Sequence, residues 1–278
     1  MKPEDFKFIC DLVKVRSGLT LSDDKGYLLE SRLMPLARRH DLGGLEGLAN
    51  ELRIKKDEKL IVEVTEAMTT NESFFFRDKK PFDLFRDSIL PEFIKNRAAK
   101  KQFRLWCAAA SSGQEPYSLA MIMKEAAAKL SGWKIGIVGT DISNDILEKA
   151  RNGVYSQFEV QRGLPIQLLM KNFDKHEDMW RIKPDLRSMI EYKFFNLLEN
   201  LAPLGTFDVV FCRNVLIYFD QETKGKVMAQ IASLMPKDGL LFLGGAETVL
   251  GITDKFKPVK GFRGVYCLTG GSTSFGES

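Results

Sequence analysis

Over the first 70 or so residues, apolar positions recur with helical spacing and show no strand-like alternation. Phe6, Ile9, Cys10 and Val13 follow i, i+3, i+4, i+7, which predicts an amphipathic helix over 4–16. Leu29, Leu33 and Leu36 form the inward face of a second helix over 25–40. The stretch DLGG at Asp41–Gly44 stops it, because glycine tolerates the left-handed backbone just past a helix end. Two further helices, near 45–54 and 57–69, complete a small all-helical bundle.

From residue 103 the period changes. Short apolar runs at Phe103–Ala110, Lys134–Asp141, Ile190–Asn196, Phe207–Arg213, Gly239–Gly245 and Arg263–Leu268 read as strands. Between them lie helical patterns: one carries Leu119, Ile122, Met123, Ala126, Ala127 and Leu130 in phase, a second runs from Asn144 to about Asn152, and a third covers 221–235. Strands alternating with helices predict a doubly wound, mostly parallel α/β sheet with right-handed crossovers. Residues 79–102 read as a linking helix with a basic end, and 270–278, GGSTSFGES, as a disordered tail.

Composition narrows the chemistry. The 278 residues are 44% hydrophobic and 28% charged, the balance of a folded globular chain. A net charge of +4 is ordinary for such a surface and does not point to a polyanionic partner. The two histidines, His40 and His176, leave little room for a Ser-His-Asp hydrolase. Cys10, Cys107, Cys212 and Cys267 stand far apart with no Cys-x-x-Cys, so no metal site is expected. No basic segment precedes an apolar core at the start, and no run of 18 apolar residues occurs. A cytoplasmic location with reduced thiols, and no membrane insertion, is the expectation.

In an open parallel sheet, ligands sit at the carboxyl ends of the strands where strand order reverses. That puts the loop after the first strand, AAASSGQEPYS, and Asp141 at the end of the second, at the expected site. Small residues let a ligand approach the backbone closely, yet G-x-G-x-x-G is missing, so the loop is a poor pyrophosphate cradle. A nucleoside without phosphates remains, its ribose hydroxyls needing a carboxylate such as Asp141. S-adenosylmethionine meets these limits. Each residue also has a purely structural reading. Ser112 and Glu115 form an S-x-x-E capping box, Asp141 with Ser143 can serve as a helix N-cap region, and Asn196 fits a turn at a strand end.

Three stretches carry a resemblance: TTNESFFFRD (Thr69–Asp78), WCAAASSGQEPYSLA (Trp106–Ala120) and FDVVFCRNVLIYFD (Phe207–Asp220). Together they resemble the CheR family, the chemotaxis-receptor protein-glutamate O-methyltransferases, over residues 1–268. The family's first loop usually reads A-G-C-S-T-G-E-E-P-Y-S; Ala109, Ala110, Ser112 and Gln114 depart from it. The resemblance implies S-adenosyl-L-methionine as cofactor, S-adenosyl-L-homocysteine as product, and methyl esters on glutamates of bacterial chemoreceptors. It implies cofactor contacts from Asn71, Ser73, Arg77, Glu115, Asp141, Asn196, Leu197, Arg213 and Asn214. Arg77 and Tyr218 are the expected catalytic pair, Arg77 holding the cofactor and the Tyr218 hydroxyl orienting the substrate carboxylate.

The implied organisation is a receptor-docking helical domain over 1–78, the link at 79–102, and a methyltransferase domain over 103–269. A small β-subdomain insert is expected at about 172–192, with Met179–Ile182 as one strand. That insert has no glycine to open an edge, so capture of a receptor C-terminal pentapeptide is not expected. Docking falls instead to the helical domain, where Lys25, Arg32 and Arg39 recur every seven residues and Arg38 widens the stripe. Two rivals stand beside this reading. A nucleic-acid methyltransferase is disfavoured because RNVLIY after the fourth strand lacks the proline pair of amino-group enzymes, so no nucleic-acid partner is expected. A non-catalytic S-adenosylmethionine-sensing module is disfavoured by the presence of both Arg77 and Tyr218.

Overall fold

The computed structural model describes residues 1–272 and Phe275, and the chain divides into two compact units. The first comprises Met1–Thr70 with Tyr218–Lys224, and the second Asn71–Ile217 with the chain from Gly225 onward.

Four helices build the first unit. Helix α1 (Pro3–Ser17) opens on a proline with Glu4 and Asp5 in its first turn and ends at Gly18, φ 79°. Helix α2 spans Gly26–Arg39, α3 Leu45–Lys55 and α4 Glu58–Met68, the last capped by the Asp57 carboxylate, which accepts from Lys59 N at 2.9 Å. Ile9, Val13, Leu29, Leu33, Leu36, Leu48, Val64 and Met68 form a dry core. Phe6 and Cys10, counted in the inward face from their spacing, are only half-buried at its margin. Residues 218–224 join this unit directly: Thr20 N donates to Tyr218 O at 2.9 Å, Lys14 pairs with Asp220 at 2.8 Å, and the Tyr218 ring packs on the helical core.

The second unit holds a seven-stranded sheet. Its strands are β1 (Gln102–Ala108), β2 (Lys134–Asp141), β6 (Ile190–Phe194), β7 (Val209–Cys212), β8 (Leu240–Leu243), β9 (Phe256–Pro258) and β10 (Val265–Leu268). The order is β6-β2-β1-β7-β8-β10-β9, parallel from β6 to β8 and antiparallel at β10 and β9. Every residue of β7 and β8 is buried, as a strand covered on both faces requires. Phe211 and Phe242 are register partners and stack at 4.3 Å between centroids. The link begins as α5 (Lys80–Leu84), passes through a π turn (Phe85–Ile89) and ends as α6 (Leu90–Asn96), laying Phe82 and Phe85 against Phe211. Helices α7 (Gln114–Glu125), α8 (Asn144–Asn152), α11 (Pro184–Arg187) and α12 (Gln221–Ser233) complete the sequence of crossovers.

The small antiparallel sheet is present but starts earlier than 172. Its strands are β3 (Val154–Ser156), β4 (Phe173–His176) and β5 (Met179–Ile182), ordered β3-β5-β4, with α9 (Gln157–Gln161) and α10 (Ile166–Asn172) between the first two. β3 has three residues and β4 buries only Phe173, whereas β5 alternates exposed and buried positions and is the one strand read in advance. At the tail, Gly271 N and Ser272 N donate to Leu268 O and Lys237 O, and the Phe275 ring packs near Phe93 and Phe262. Disorder expected for 270–278 therefore does not hold for these residues, and 273–274 and 276–278 lie outside the described residues. No helix among the described residues is long and apolar enough to cross a membrane.

Candidate active site

The chain runs from β1 outward to β2 and β6, then returns to the other side of β1 as β7, so strand order reverses between β1 and β7. The loops after these two strands meet at the carboxyl edge of the sheet, where an open α/β fold places its ligand.

The β1 loop turns by alternating left-handed residues: Ala109 (φ 59°), Ser111 (φ 50°) and Gly113 (φ 94°). Only glycine fits at 113, since a Cβ there would lie 2.7 Å from the Tyr192 hydroxyl. Ala109 takes the left-handed conformation where the family's loop has glycine. Asp141 ties this loop down, its Oδ2 accepting from Ser111 N at 2.8 Å and its Oδ1 from Ser143 N at 3.1 Å. Burial pushes its carboxyl up, against the opposing pull of these backbone donors. A carboxylate has about four lone-pair sites. Backbone donors from Ser111, Ser143 and Ile142 engage it here. Ser143 caps α8, accepting from Ile146 N at 3.4 Å, so the N-cap reading of this corner holds for Ser143.

The capping box at Ser112 and Glu115 does not form. Gly113 is the N-cap of α7 without a side-chain hydrogen bond, and Ser112 Oγ donates instead to Gln114 Oε1 at 2.8 Å. Glu115 turns inward and accepts from Arg213 Nη1 at 2.7 Å. The other arm of Arg213, Nη2, reaches Asp78 Oδ2 at 2.7 Å and Arg77 O at 2.9 Å. With its side chain 1% exposed, Arg213 cross-links the β1 loop, the end of β7 and the 71–79 segment at the point where strand order reverses. In this geometry Glu115 and Arg213, both expected at the cofactor, are engaged with each other. Burial holds the Glu115 carboxyl above its usual range even with Arg213 beside it.

The 71–79 segment is strained, with Phe76 (φ 50°), Asp78 (φ 66°) and Lys79 (φ 45°) all left-handed. Tertiary bonds hold it: Ser111 Oγ donates to Asn71 O at 2.9 Å, Phe76 N to Ser118 Oγ at 2.9 Å, and Arg77 Nη1 to Glu72 O at 2.8 Å. The β-subdomain braces its outer side. Arg162 pairs with Glu72 at 2.6 Å, Phe75 meets Tyr155 and Phe173 edge-on, and a Cβ on Gly163 would lie 2.1 Å from Phe75 O. Half-buried Ser73 lies within this braced segment. Asp78 and Ser118 carry weight that the sequence reading did not assign, although both lie inside the quoted motifs.

At the end of β6, Phe194 is the register partner of Asp141 and Phe195 N donates to Asp141 O at 2.9 Å, setting Asn196 and Leu197 next to that carboxylate's strand. Asn196 Oδ1 accepts from Leu198 N at 3.0 Å, the turn its structural reading foresaw, while Leu197 is buried. Asn214 follows Arg213 with φ 58°. Tyr218 belongs to the helical unit rather than to the sheet unit.

The basic stripe divides. Lys25 ends a 3-10 turn (Asp23–Lys25) before α2, and both it and Arg38 are exposed. Arg32 instead donates to Met68 O, Thr69 O (3.0 Å) and Thr70 Oγ1 (3.0 Å), closing the carboxyl end of α4. Arg39 faces Glu63 at 3.6 Å. Seven-residue spacing gave the side of the helix, but not the partners waiting there.

A doubly wound sheet, a small-residue loop without a pyrophosphate cradle and a carboxylate on the second strand suit an S-adenosylmethionine-dependent methyltransferase. Matches to known families agree: the CheR methyltransferase SAM-binding domain matches residues 71–265 and the CheR methyltransferase all-alpha domain matches 4–69. The protein belongs to the CheR methyltransferase family. It is 38% identical over 260 residues to chemotaxis protein methyltransferase Cher2 of Pseudomonas putida, covering 92% of this chain and 94% of that one. It is 37% identical to chemotaxis protein methyltransferase 1 of Vibrio cholerae over the same extents. The chemotaxis protein methyltransferase of Escherichia coli is 33% identical over 256 residues, 90% of this chain and 86% of that one.

Proposed function

We propose that this protein transfers a methyl group from S-adenosylmethionine to glutamate side chains of bacterial chemoreceptors, giving the methyl esters that serve chemotactic adaptation. The observation that carries this reading is the joining of Asn71, Ser111 and Asp141 at the reversal point of the sheet, in a chain akin to chemotaxis protein methyltransferases along its length. Asp141 would hold the ribose hydroxyls, Asn196 and Leu197 border the adenine, and Asn71, Ser73 and Arg77 grip the methionine end. When bound, the cofactor supplies an activated methyl group. A glutamate carboxyl, with an ordinary pKa near 4.3, is already anionic at neutral pH, so the protein's work is alignment rather than proton removal.

Incubation with methyl-labelled S-adenosylmethionine and receptor-containing membranes tests the function. Label should enter receptor protein and leave as methanol in mild base. Cofactor binding without incorporation would instead mark a sensing module, and base-stable label would mark a different acceptor. Asp141→Ala should weaken cofactor binding by about 1–3 kcal/mol, the usual cost of a lost buried hydrogen-bonding partner. Wild-type affinity by titration calorimetry would remove the ribose assignment.

Docking belongs, on this reading, to the helical unit. Lys25 and Arg38, exposed on it, suit a glutamate-rich receptor helix, whereas Arg32 is engaged in closing α4. Capture of a receptor C-terminal pentapeptide is not expected. The β4–β5 turn is two residues, Glu177–Asp178, with no glycine, and the one glycine within the observed subdomain, Gly163, faces Phe75 instead. Charge reversal at Lys25 and Arg38 should raise the Michaelis constant for receptor at low salt, and a receptor-tail pentapeptide should give no binding heat. Peptide binding together with unchanged kinetics in the double variant would transfer docking to the subdomain.

A further inference from the structure

The loop after β7 carries Asn214 and leads to Tyr218, yet it has no strand partner to satisfy its amides. Asn214 is left-handed, and the chain turns at once into a 3-10 turn over Leu216–Tyr218. Its inward N–H groups are met by one side chain, Glu247, from the GGAET stretch that follows β8. Glu247 Oε2 accepts from Asn214 N at 2.8 Å and Gly244 N at 2.7 Å; Oε1 accepts from Val215 N at 3.0 Å and Ile217 N at 3.3 Å. Four donors converge on a group that has two oxygens and no proton to give.

The seat is shaped for it. A Cβ on Gly244 would lie 2.7 Å from Glu247 Oε2 and 2.8 Å from Asn214 Nδ2, so only glycine leaves room for both. Asparagine takes the left-handed conformation more readily than other side-chain-bearing residues, and at Asn214 the Glu247 carboxylate holds the amide in it.

We propose that Glu247 is the positioning residue of the catalytic loop. It fixes Asn214 for the cofactor and holds the loop backbone from Asn214 to Ile217. This rests on the functional reading above. The distinguishing chemistry is that glutamine, the same size and shape, must turn its amide N–H₂ toward two N–H donors whichever way it faces. Loss of charge, not loss of volume, should therefore disable the loop.

The test compares wild type with Glu247→Gln, Glu247→Asp and Glu247→Ala, each scaled to folded protein by its melting curve. Single-turnover methyl transfer to receptor at saturating cofactor should fall by about 10²-fold in Glu247→Gln, the usual scale for a displaced catalytic group. Cofactor affinity, read by calorimetry with no receptor present, should fall by about tenfold. Aspartate, which keeps the charge but not the reach, should retain more of both than glutamine. Where the glutamine variant fails to fold, acetate added to Glu247→Ala should restore transfer while acetamide of equal size should not. Wild-type rate and affinity in Glu247→Gln, or equal rescue by acetamide, would overturn the proposal. Failure of the wild type to methylate receptor would overturn the substrate reading instead, and the calorimetric comparison would still decide the role of Glu247.

Discussion

Arg213→Met should destabilise the protein by about 3–5 kcal/mol, because it removes one partner of a buried ion pair and leaves the other behind. Glu115, its side chain 12% exposed, would keep its carboxylate without a cation, while Asp78, half-exposed, can turn to water. The damage should also reach cofactor binding, since the same guanidinium holds Arg77 O and with it the segment that carries Asn71, Ser73 and Arg77. The pH dependence has a definite sign. Burial already raises the Glu115 pKa, and Arg213 opposes that rise. Without Arg213 the folded-state pKa climbs further above the unfolded one. A carboxyl raised in this way favours the folded state below its unfolded pKa and loses that advantage as pH rises through its folded pKa. The deficit of the variant should thus be smallest in mild acid and grow toward neutral pH. Denaturant titrations at two pH values measure it, and a constant deficit would mean that Glu115 is not the stranded charge. Lysine should rescue poorly, since one ammonium cannot span Glu115, Asp78 and the Arg77 carbonyl as a planar fork does.

The parts of this fold that were legible in the sequence are those in which a residue's surroundings repeat along the chain. The four helices of the first unit follow from local periodicity, which reports the direction of the core, whereas the strand at Met179–Ile182 came with the family resemblance. Strand ends were overrun, as at Ile190–Asn196 against Ile190–Phe194, because Phe195 continues the apolar run into the turn at Asn196. The residues missed, or read only in part, meet partners distant in sequence. Arg32 looked like one member of a charge stripe, although its acceptors lie at the end of α4. Glu115 fitted a capping box by spacing, yet Gly113 starts the helix one residue late for it and Arg213 draws the side chain inward. Glu247 resembles any loop glutamate, since the demand for its carboxylate comes from three amides of the loop after β7 and one of its own stretch, Gly244. Within the quoted motifs, by contrast, Arg77 and Arg213 do meet through the Arg77 carbonyl, and Asp141 ends β2 at the same edge because a parallel sheet brings successive strand ends together.

Tyr218→Phe should separate chemistry from binding. The ring packs on the helical core and its backbone carbonyl accepts from Thr20 N, and phenylalanine keeps both. Fold stability and cofactor affinity should therefore stay near wild type. What is lost is a hydroxyl proposed to donate to the substrate carboxylate and hold it in line with the transferring methyl group. Removing one such pre-organised donor costs about 10²–10³-fold in the rate of reactions that depend on it. A single hydrogen bond suits this task better than an ion pair, because a carboxylate paired tightly to arginine would be a weaker nucleophile. The placement matters as well. Tyr218 lies in the same compact unit as Lys25 and Arg38, so the group proposed to orient the glutamate is carried by the unit proposed to dock the receptor. A receptor helix held by that unit would meet a hydroxyl carried by the same unit. The measurement is methyl transfer at saturating receptor and cofactor, set beside calorimetric cofactor binding. A fall in turnover at constant affinity supports the assignment; equal loss of both would put the ring in the cofactor pocket, and unchanged turnover would leave the hydroxyl without a part in the reaction.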